Sequence, residues 1–159
     1  MSYELTGLEG KIAVVTGAGR MRSIGRSIAL ELAKAGCDVV ITGSGRSPDA
    51  FPEDEKKAGW RDIESVAEEI RALGRRALPL ISNVADLDAV KVLADKVVHE
   101  FGRVDFVINN AGAARAGRDP GKIVTAPFTT VLPMGVEGGS MMAKRIISFY
   151  IGGMGDYYI

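Results

Sequence analysis

The feature that most constrains the fold of this chain is a regular alternation of two periodicities in its first two thirds. Short apolar runs, typical of buried strands, are followed by segments whose apolar residues recur at helical spacing. The predicted strands are residues 11–16, 38–42, 77–82 and 104–109, and the predicted helices are residues 24–35, 62–73 and 87–101. Strands and helices that alternate in this way form a parallel sheet with helices on both faces. We therefore predict an α/β fold, a Rossmann-type doubly wound parallel sheet with strand order 3-2-1-4.

Residues at the ends of these segments support the same interpretation. Asp86 is a side-chain type that caps helix N-termini, and it precedes the third helix. Gly36, Gly74 and Gly102 each follow a predicted helix, where glycine commonly ends it. Pro79 lacks the N–H that a central strand would use in the ladder. Its place in the third strand therefore agrees with an edge position for that strand.

Composition restricts the kind of partner that this chain binds. Lysine plus arginine and aspartate plus glutamate both number 20, so there is no net positive charge to attract nucleic acid or an anionic membrane. The first residues contain no long apolar run, so we expect no signal peptide, no membrane span and a cytoplasmic location. The one cysteine, Cys37, is interpreted as a small buried hydrophobe. His99 is a lone histidine off the apolar stripe of its helix, which predicts an exposed side chain and no metal site.

A glycine-rich turn joins the first predicted strand to the first predicted helix. It reads TGAGRMRSIGR over residues 16–26. Gly17 permits a tight turn, and Gly25 permits close packing at the start of the helix. The free N–H groups and positive dipole of a helix start favour a phosphate. A strand before and a helix after make a pyrophosphate site the favoured interpretation, and a plain turn that happens to contain glycines is the alternative.

A long polar segment separates the second strand from the second helix. Residues 43–61 contain two prolines and the mixed charges of PEDEKK, which we interpret as a solvated loop with Trp60 folded back onto the core. The alternative is that this segment borders the site formed by the glycine-rich turn.

Three motifs together resemble the short-chain dehydrogenase/reductase family. They are TGAGRMRSIG at residues 16–25, NVAD at residues 83–86 and NNAG at residues 109–112. Their order and spacing match the family over about residues 5–118. The resemblance implies an NAD(P)-binding domain over residues 1–118, followed by an atypical tail at 119–159 that is not an independent domain. Intact relatives of this kind reduce a carbonyl or oxidise an alcohol, so a small carbonyl or alcohol substrate is implied.

The resemblance also assigns contacts with the cofactor. Ser23 stands where the family usually has its middle glycine, in a loop two residues longer. Asn83 stands where an aspartate usually bonds the adenine amine, and its amide oxygen accepts that bond more weakly. The residues that inherit a cofactor contact are Gly17, Arg20, Ser23, Ile24 and Gly25 at the pyrophosphate, Asn83 and Val84 at the adenine, and Asn110, Ala111 and Gly112 at the inner ribose.

The end of the second strand bears on the choice between NAD and NADP. An acidic residue there would bond the ribose 2′-hydroxyl of NAD. Residues 42–46 read TGSGR and contain no acid, and Asp38 lies at the beginning of the strand. Arg46 can pair with a 2′-phosphate through its planar guanidinium. We therefore expect NADP to be preferred over NAD, with a plain surface arginine as the alternative interpretation.

The family's catalytic residues have no counterpart in this sequence. Relatives use a serine and a Tyr-x-x-x-Lys pair, in which the lysine lowers the pKa of the tyrosine. Tyr150 is followed four residues later by Met154, and no lysine follows Tyr157 or Tyr158. No residue is assigned as catalytic, and we expect the chain to be impaired or inactive in turnover.

The tail carries a second resemblance. Residues 116–159, with YIGGMG as their most specific part, resemble a piece of the luciferase-like flavin- or deazaflavin-dependent oxidoreductases. AGRD at residues 116–119 is plausible in both families, so we expect a junction between two unrelated coding fragments there. The fourth strand would otherwise expose an apolar edge. We expect residues 123–132 to cover or extend it.

Two alternatives to the enzymatic interpretation are kept. One is a non-catalytic module that binds a nucleotide or uses the open sheet edge to join a partner subunit or a second copy. The other is a non-functional fusion fragment.

Overall fold

A computed structural model describes residues 7–112 of the chain. All four predicted strands and all three predicted helices are present in it. Their ends lie within two residues of the predicted ones. The elements are β1 (Ile12–Val15), α1 (Ile24–Lys34), β2 (Asp38–Gly43), α2 (Glu53–Lys57), α3 (Ile63–Ala72), β3 (Ala77–Ile81), α4 (Leu87–Phe101) and β4 (Phe106–Ile108).

The four strands form one parallel sheet in the order β3-β2-β1-β4, as predicted. β1 lies between β2 and β4, with Val14 aligned to Val40 on one side and to Val107 on the other. Pro79 lies in β3 opposite Ile41, on the strand that ends the sheet of the described residues. A proline there costs no ladder bond on the outer side, which confirms the edge assignment.

Alternate residues of each strand enter two separate cores, one on each face of the sheet. On the first face, Val15 and Val39 pack with Ala29 of α1 and Val66 of α3. On the opposite face, residues such as Val14 and Val40 pack with α4. The change of face between α3 and α4 makes the sheet doubly wound, and it sets a crevice at the carboxyl ends of β1 and β4.

The helix ends follow the sequence signals. Asp86 accepts hydrogen bonds from the backbone N–H groups of Asp88 and Ala89, at 2.9 and 3.3 Å, and so caps α4. Gly102 ends the same helix in the left-handed conformation, with φ of 72°. His99 is exposed, as predicted.

The segment between β2 and α3 is the one clear correction to the predicted fold. Instead of a solvated loop, it contains a 3-10 turn at Pro48–Ala50 and the short helix α2. Glu55 of α2 is only 2% exposed, whereas the mixed charges of PEDEKK led us to expect it in solvent. Its burial has a physical reason, because two arginines pair with its carboxylate.

Several predictions concern residues outside 7–112 and receive no structural account. They are the domain boundary at 118, the cover of the sheet edge by residues 123–132 and the tail that follows. Within 7–112, no helix is both long and apolar enough to cross a membrane.

Candidate dinucleotide site

The glycine-rich turn lies at the carboxyl end of β1 and is fixed to the end of β2. Gly17 adopts φ of 69°, a conformation that glycine reaches without strain, so the chain turns sharply out of the strand. The next residue, Ala18, donates its N–H to the carbonyl oxygen of Thr42 at 2.9 Å. The turn therefore begins from a defined position above the two strands.

The start of α1 provides free hydrogen-bond donors. Ser23 is the N-cap residue, and its hydroxyl oxygen accepts the N–H of Arg26 at 3.2 Å. The two N–H groups between them, on Ile24 and Gly25, make no hydrogen bond within residues 7–112. Two free donors at a helix start, where the dipole is positive, form a site for an anion. A serine at the family's middle-glycine position is thus compatible with the site, since it caps the helix.

The NNAG motif closes the site from the side of β4. Thr16 accepts the N–H groups of Asn110 and Ala111 on its hydroxyl oxygen, both at 3.0 Å. The Asn110 amide donates in return to the carbonyl oxygens of Thr16 and Gly17, at 2.9 and 3.1 Å. Gly112 is exposed at the end of the motif. The turn and the motif are therefore one bonded unit.

This unit leaves no room for side chains at its two central glycines. A Cβ atom on Gly17 would lie 2.7 Å from Cα of Ala111. A Cβ atom on Gly25 would lie 2.5 Å from Nδ2 of Asn110 and 2.9 Å from the carbonyl oxygen of Gly17. Gly25 is needed for contact with the turn and with Asn110, rather than only for packing the helix on the sheet.

The segment after β2 braces the outer side of the turn. The buried carboxylate of Glu55 accepts the N–H of Met21 at 2.9 Å and lies 3.7 Å from the guanidinium of Arg20. The Trp60 indole donates to the carbonyl oxygen of Gly19 at 2.7 Å and packs on the core of the first face. Trp60 therefore folds back onto the core, as predicted, and the segment borders the turn, as in the alternative interpretation, although the rest of it is not the solvated loop that we expected.

Positive charge is present at the turn. Arg20 and Arg22 expose 57% and 80% of their side chains, which leaves them accessible to a bound anion. Arg26 is held differently, since it pairs with Glu69 through two nitrogens at 2.6 and 2.7 Å. That hydrogen bond raises the pKa of Arg26, while its partial burial acts in the opposite direction. Arg26 is therefore a fixed charge beneath the turn.

Arg46 is engaged with protein carboxylates. Its guanidinium lies 3.4 Å from a carboxylate oxygen of Glu55, 3.1 Å from Oδ1 of Asp62 and 4.7 Å from the centre of the Phe51 ring. Only 22% of its side chain is exposed. The plain surface arginine is therefore not what the structure shows, and a 2′-phosphate would have to compete with two carboxylates for this group.

The predicted adenine contacts lie at the end of β3. Asn83 is exposed, and its side-chain oxygen accepts the N–H of Ala85 at 3.1 Å, while Val84 is half-buried. The Asn83 oxygen is thus already used in a local turn. Ile24 and Ile81 are 72% and 73% exposed, so two large apolar side chains are available near the carboxyl ends of the strands.

Sequence reasoning missed three groups that shape the site. The sequence did not indicate a role for Thr16, which was noted only as the residue before Gly17. A hydroxyl at the end of a strand is nevertheless a candidate to accept hydrogen bonds from the backbone N–H groups of a turn. Glu55 was hidden in a mixed-charge run. Asp62 was predicted only to begin a helix. Its position at the end of β2 was not predicted, because 19 positions separate Asp62 from Gly43 in sequence.

The arrangement fits a dinucleotide. Free backbone N–H groups at a helix start suit a pyrophosphate, and the crevice between β1 and β4 is where such ligands bind in doubly wound sheets. The donor set has two neutral amides and two exposed arginines, which is the chemistry that a diphosphate requires.

Comparison with known proteins agrees with this geometry. The family model for short chain dehydrogenases matches residues 11–142. A 3-oxoacyl-[acyl-carrier-protein] reductase from Staphylococcus aureus is 42% identical over 105 residues, which are 66% of this chain and 37% of that protein. A 2-dehydro-3-deoxy-D-gluconate 5-dehydrogenase from Escherichia coli is 38% identical over 110 residues, 68% of this chain and 36% of that protein.

A solved structure of a relative has the same fold. Carveol dehydrogenase from Mycobacterium avium, in complex with NAD, superposes with a TM-score of 0.57 at 31% identity. The match covers 77% of this chain and 42% of that one. The chain thus spans little more than a third of the length of the two curated relatives, at 37% and 36%.

Proposed function

This chain belongs to the short-chain dehydrogenase/reductase family, and from that premise we propose that it binds a nicotinamide dinucleotide at the turn of residues 16–25. The observation that carries the proposal is the pair of free N–H groups on Ile24 and Gly25, held at the end of β1. Asn110 and Glu55 keep the turn open toward these donors by bonding its backbone from two sides.

Each predicted contact keeps a role in the proposal. Gly17, Ser23, Ile24 and Gly25 form the pyrophosphate cradle, and Arg20 adds an accessible charge. Ala111 and Gly112 border the inner ribose beside Asn110. Val84 offers an apolar surface to the adenine, and Asn83 serves the adenine amine only if its side chain leaves the bond with Ala85.

We propose oxidoreductase chemistry on a small carbonyl or alcohol as the function of the family to which this chain belongs. A bound nicotinamide ring supplies or accepts the hydride. This chain's described residues bind and orient the dinucleotide, and none of them is assigned a proton-transfer role. We propose that turnover by residues 1–159 is impaired or absent, because Tyr150 is followed four residues later by Met154 and not by lysine.

Binding and turnover are tested separately. The purified chain of residues 1–159 is titrated with NADPH and NADH, with nicotinamide fluorescence as the readout, and micromolar dissociation constants are expected for at least one of them. Absence of binding by a monodisperse sample would reject the proposal and favour a non-functional fragment. Turnover with a carbonyl panel then distinguishes an active enzyme from a non-catalytic binding module.

The cofactor preference stays a prediction. The sequence predicts NADP through Arg46, whereas the ion pairs of that residue with Glu55 and Asp62 oppose a bound 2′-phosphate. The dissociation constants from the same titrations decide the preference.

Cytoplasmic location, self-association through the sheet edge, the domain boundary at 118 and the luciferase-like origin of residues 116–159 also stay predictions. An intact short-chain reductase reading frame running past Asp119 in the gene would remove the idea of a junction.

A further inference from the structure

The carboxylate of Asp62 lies where β1 and β2 end side by side. A Cβ atom on Gly19, in the turn after β1, would overlap Oδ1 of Asp62. A Cβ atom on Gly43, the last residue of β2, would lie 3.4 Å from Oδ2. In a doubly wound sheet this corner receives the adenine-side ribose of a dinucleotide. An acid is therefore present at the end of β2 in space, although residues 42–46 contain none.

Helix capping does not account for an aspartate at this position. Asp62 has φ of 55°, and it is the only residue other than glycine with a positive φ within residues 7–112. It is the N-cap residue of α3, but its side chain makes no capping hydrogen bond. A glycine would relieve the backbone, so an aspartate here carries a conformational cost.

The two carboxylate oxygens of Asp62 differ in their partners. Oδ1 pairs with Arg46 at 3.1 Å, whereas Oδ2 makes no hydrogen bond with any residue of 7–112. The side chain is 13% exposed, so water screens its charge only weakly. An acceptor of this kind suits a neutral ribose hydroxyl. It opposes a 2′-phosphate, which brings nearly two negative charges.

We propose that Asp62 is the residue that discriminates between the two nicotinamide dinucleotides in this chain. Its Oδ2 accepts the 2′-hydroxyl of NAD. Its charge repels the 2′-phosphate of NADP, and its bond with Arg46 withholds that guanidinium from the phosphate. The inference rests on the proposed dinucleotide site. It assigns the choice between NAD and NADP to a residue of the segment after β2, rather than to residues 42–46 at the end of that strand.

The test measures the dissociation constant for NADPH divided by that for NADH, in the chain of residues 1–159 and in two variants. Asp62→Asn removes the charge and keeps the shape. Asp62→Gly also removes it and relieves the positive φ, so it tests the same charge on an unstrained backbone. In both variants the NADPH/NADH ratio should fall by about tenfold or more, because a like-charge contact is lost and Arg46 is freed.

A matched control carries the same charge change elsewhere in the segment. Asp54 pairs with Arg22 at 3.3 Å and is 41% exposed, so Asp54→Asn should leave the ratio within about twofold of the parent. Urea unfolding confirms that each variant is folded.

The outcomes separate the two proposals. If the parent chain binds neither NADH nor NADPH, the proposed function fails. If it binds either one and the ratio is unchanged in a folded Asp62 variant, or changes equally in Asp54→Asn, the assignment of Asp62 is overturned while the dinucleotide site stands.

Discussion

The side-chain amide of Asn110 donates a hydrogen bond to the carbonyl oxygen of Thr16 at 2.9 Å, although 94 positions separate the two residues. The hydroxyl oxygen of Thr16 accepts the backbone N–H of Asn110 in return, at 3.0 Å. This reciprocal pair joins the end of β4 to the start of the glycine-rich turn. It is the direct link between the two motifs that define the site.

Replacing Asn110 with alanine should destabilise the chain and weaken dinucleotide binding. The change leaves the carbonyl oxygens of Thr16 and Gly17 without the amide donor, and an unsatisfied group of this kind costs about 1–3 kcal/mol of unfolding free energy. Urea unfolding measures the loss. The neighbouring Asn109→Ala is the stability control, because the Asn109 side chain makes no hydrogen bond within residues 7–112. Equal losses in the two variants would contradict the role of the amide.

A methyl group at Gly25 should reduce dinucleotide affinity. Its Cβ would lie 2.5 Å from Nδ2 of Asn110 and 2.9 Å from the Gly17 carbonyl oxygen, so the turn or Asn110 must move. Overpacking of this kind costs about 1–3 kcal/mol, and we expect affinity for the dinucleotide to fall by roughly tenfold or more. Nicotinamide fluorescence titration measures it.

The control for that variant is Ser27→Ala, an exposed change on the same helix that adds no atoms. Its affinity should match that of the parent chain. A Gly25→Ala variant that binds as tightly as Ser27→Ala would show that the close contact is not required.

The amino ends of β1 and β4, opposite the candidate site, hold a buried acid whose charge stabilises the fold. Asp105 is 3% exposed. Its carboxylate accepts hydrogen bonds from the backbone N–H of Ile12 at 2.9 Å and from the Nε–H of Arg103 at 2.8 Å. Burial acts to raise the pKa of Asp105, but the bonds with Arg103 and Ile12 outweigh it, so that the pKa lies below its usual value.

Acid should therefore destabilise the fold through Asp105. A carboxyl whose pKa is lower in the folded than in the unfolded chain stabilises the fold above its unfolded value, near pH 4. That contribution is lost as the pH falls from there through the folded value. Urea unfolding at pH 7, 5, 4 and 3 should show the loss, and Asp105→Asn should flatten it while lowering stability at pH 7 by about 1–3 kcal/mol.

Asp88 offers the contrast for this experiment. Its side chain is 88% exposed and pairs only with the exposed Lys91 within the described part of the chain. Asp88→Asn should keep the pH dependence of the parent chain. A parent profile that is flat between pH 5 and 3 would contradict the prediction for Asp105.

The single cysteine should be unreactive in the folded chain. Burial raises the pKa of the Cys37 thiol to about 11, and the side chain is fully buried beside the carbonyl oxygen of Leu8. At pH 8 the thiolate is a minor species and a thiol reagent cannot reach it. Reaction with a chromogenic disulfide should be slow in buffer and rapid in denaturing urea. Rapid reaction of the folded chain would show that Cys37 is accessible.

Local signals were sufficient for the architecture. The apolar runs of β1 and β2, the cap at Asp86 and the glycine after each helix act through neighbours in sequence, so they could be read in order along the chain. Pro79 allowed β3 to be placed at the edge for the same reason, since a missing N–H is a property of the residue itself.

The segment after β2 was predicted less well because its structure depends on distant partners. A helix of five residues has little stability alone, and α2 forms with Glu55 buried against Arg20 and Arg46. A run of mixed charges in the sequence does not predict which of its carboxylates pairs with an arginine in the folded chain. The same limit hid the Thr16 hydroxyl, whose three partners lie more than 90 positions away.

The sequence by itself determined the order of strands and helices, the glycine-rich turn and the family, because each of these depends on the types of residues that lie close together along the chain. Only the tertiary structure decided what surrounds the turn. It brought Asp62 to the end of β2, paired Arg46 with two carboxylates and joined Asn110 to Thr16. Those contacts form because segments remote in sequence fold onto one corner of the sheet. The spacing of residues along the chain does not report which remote side chains meet there.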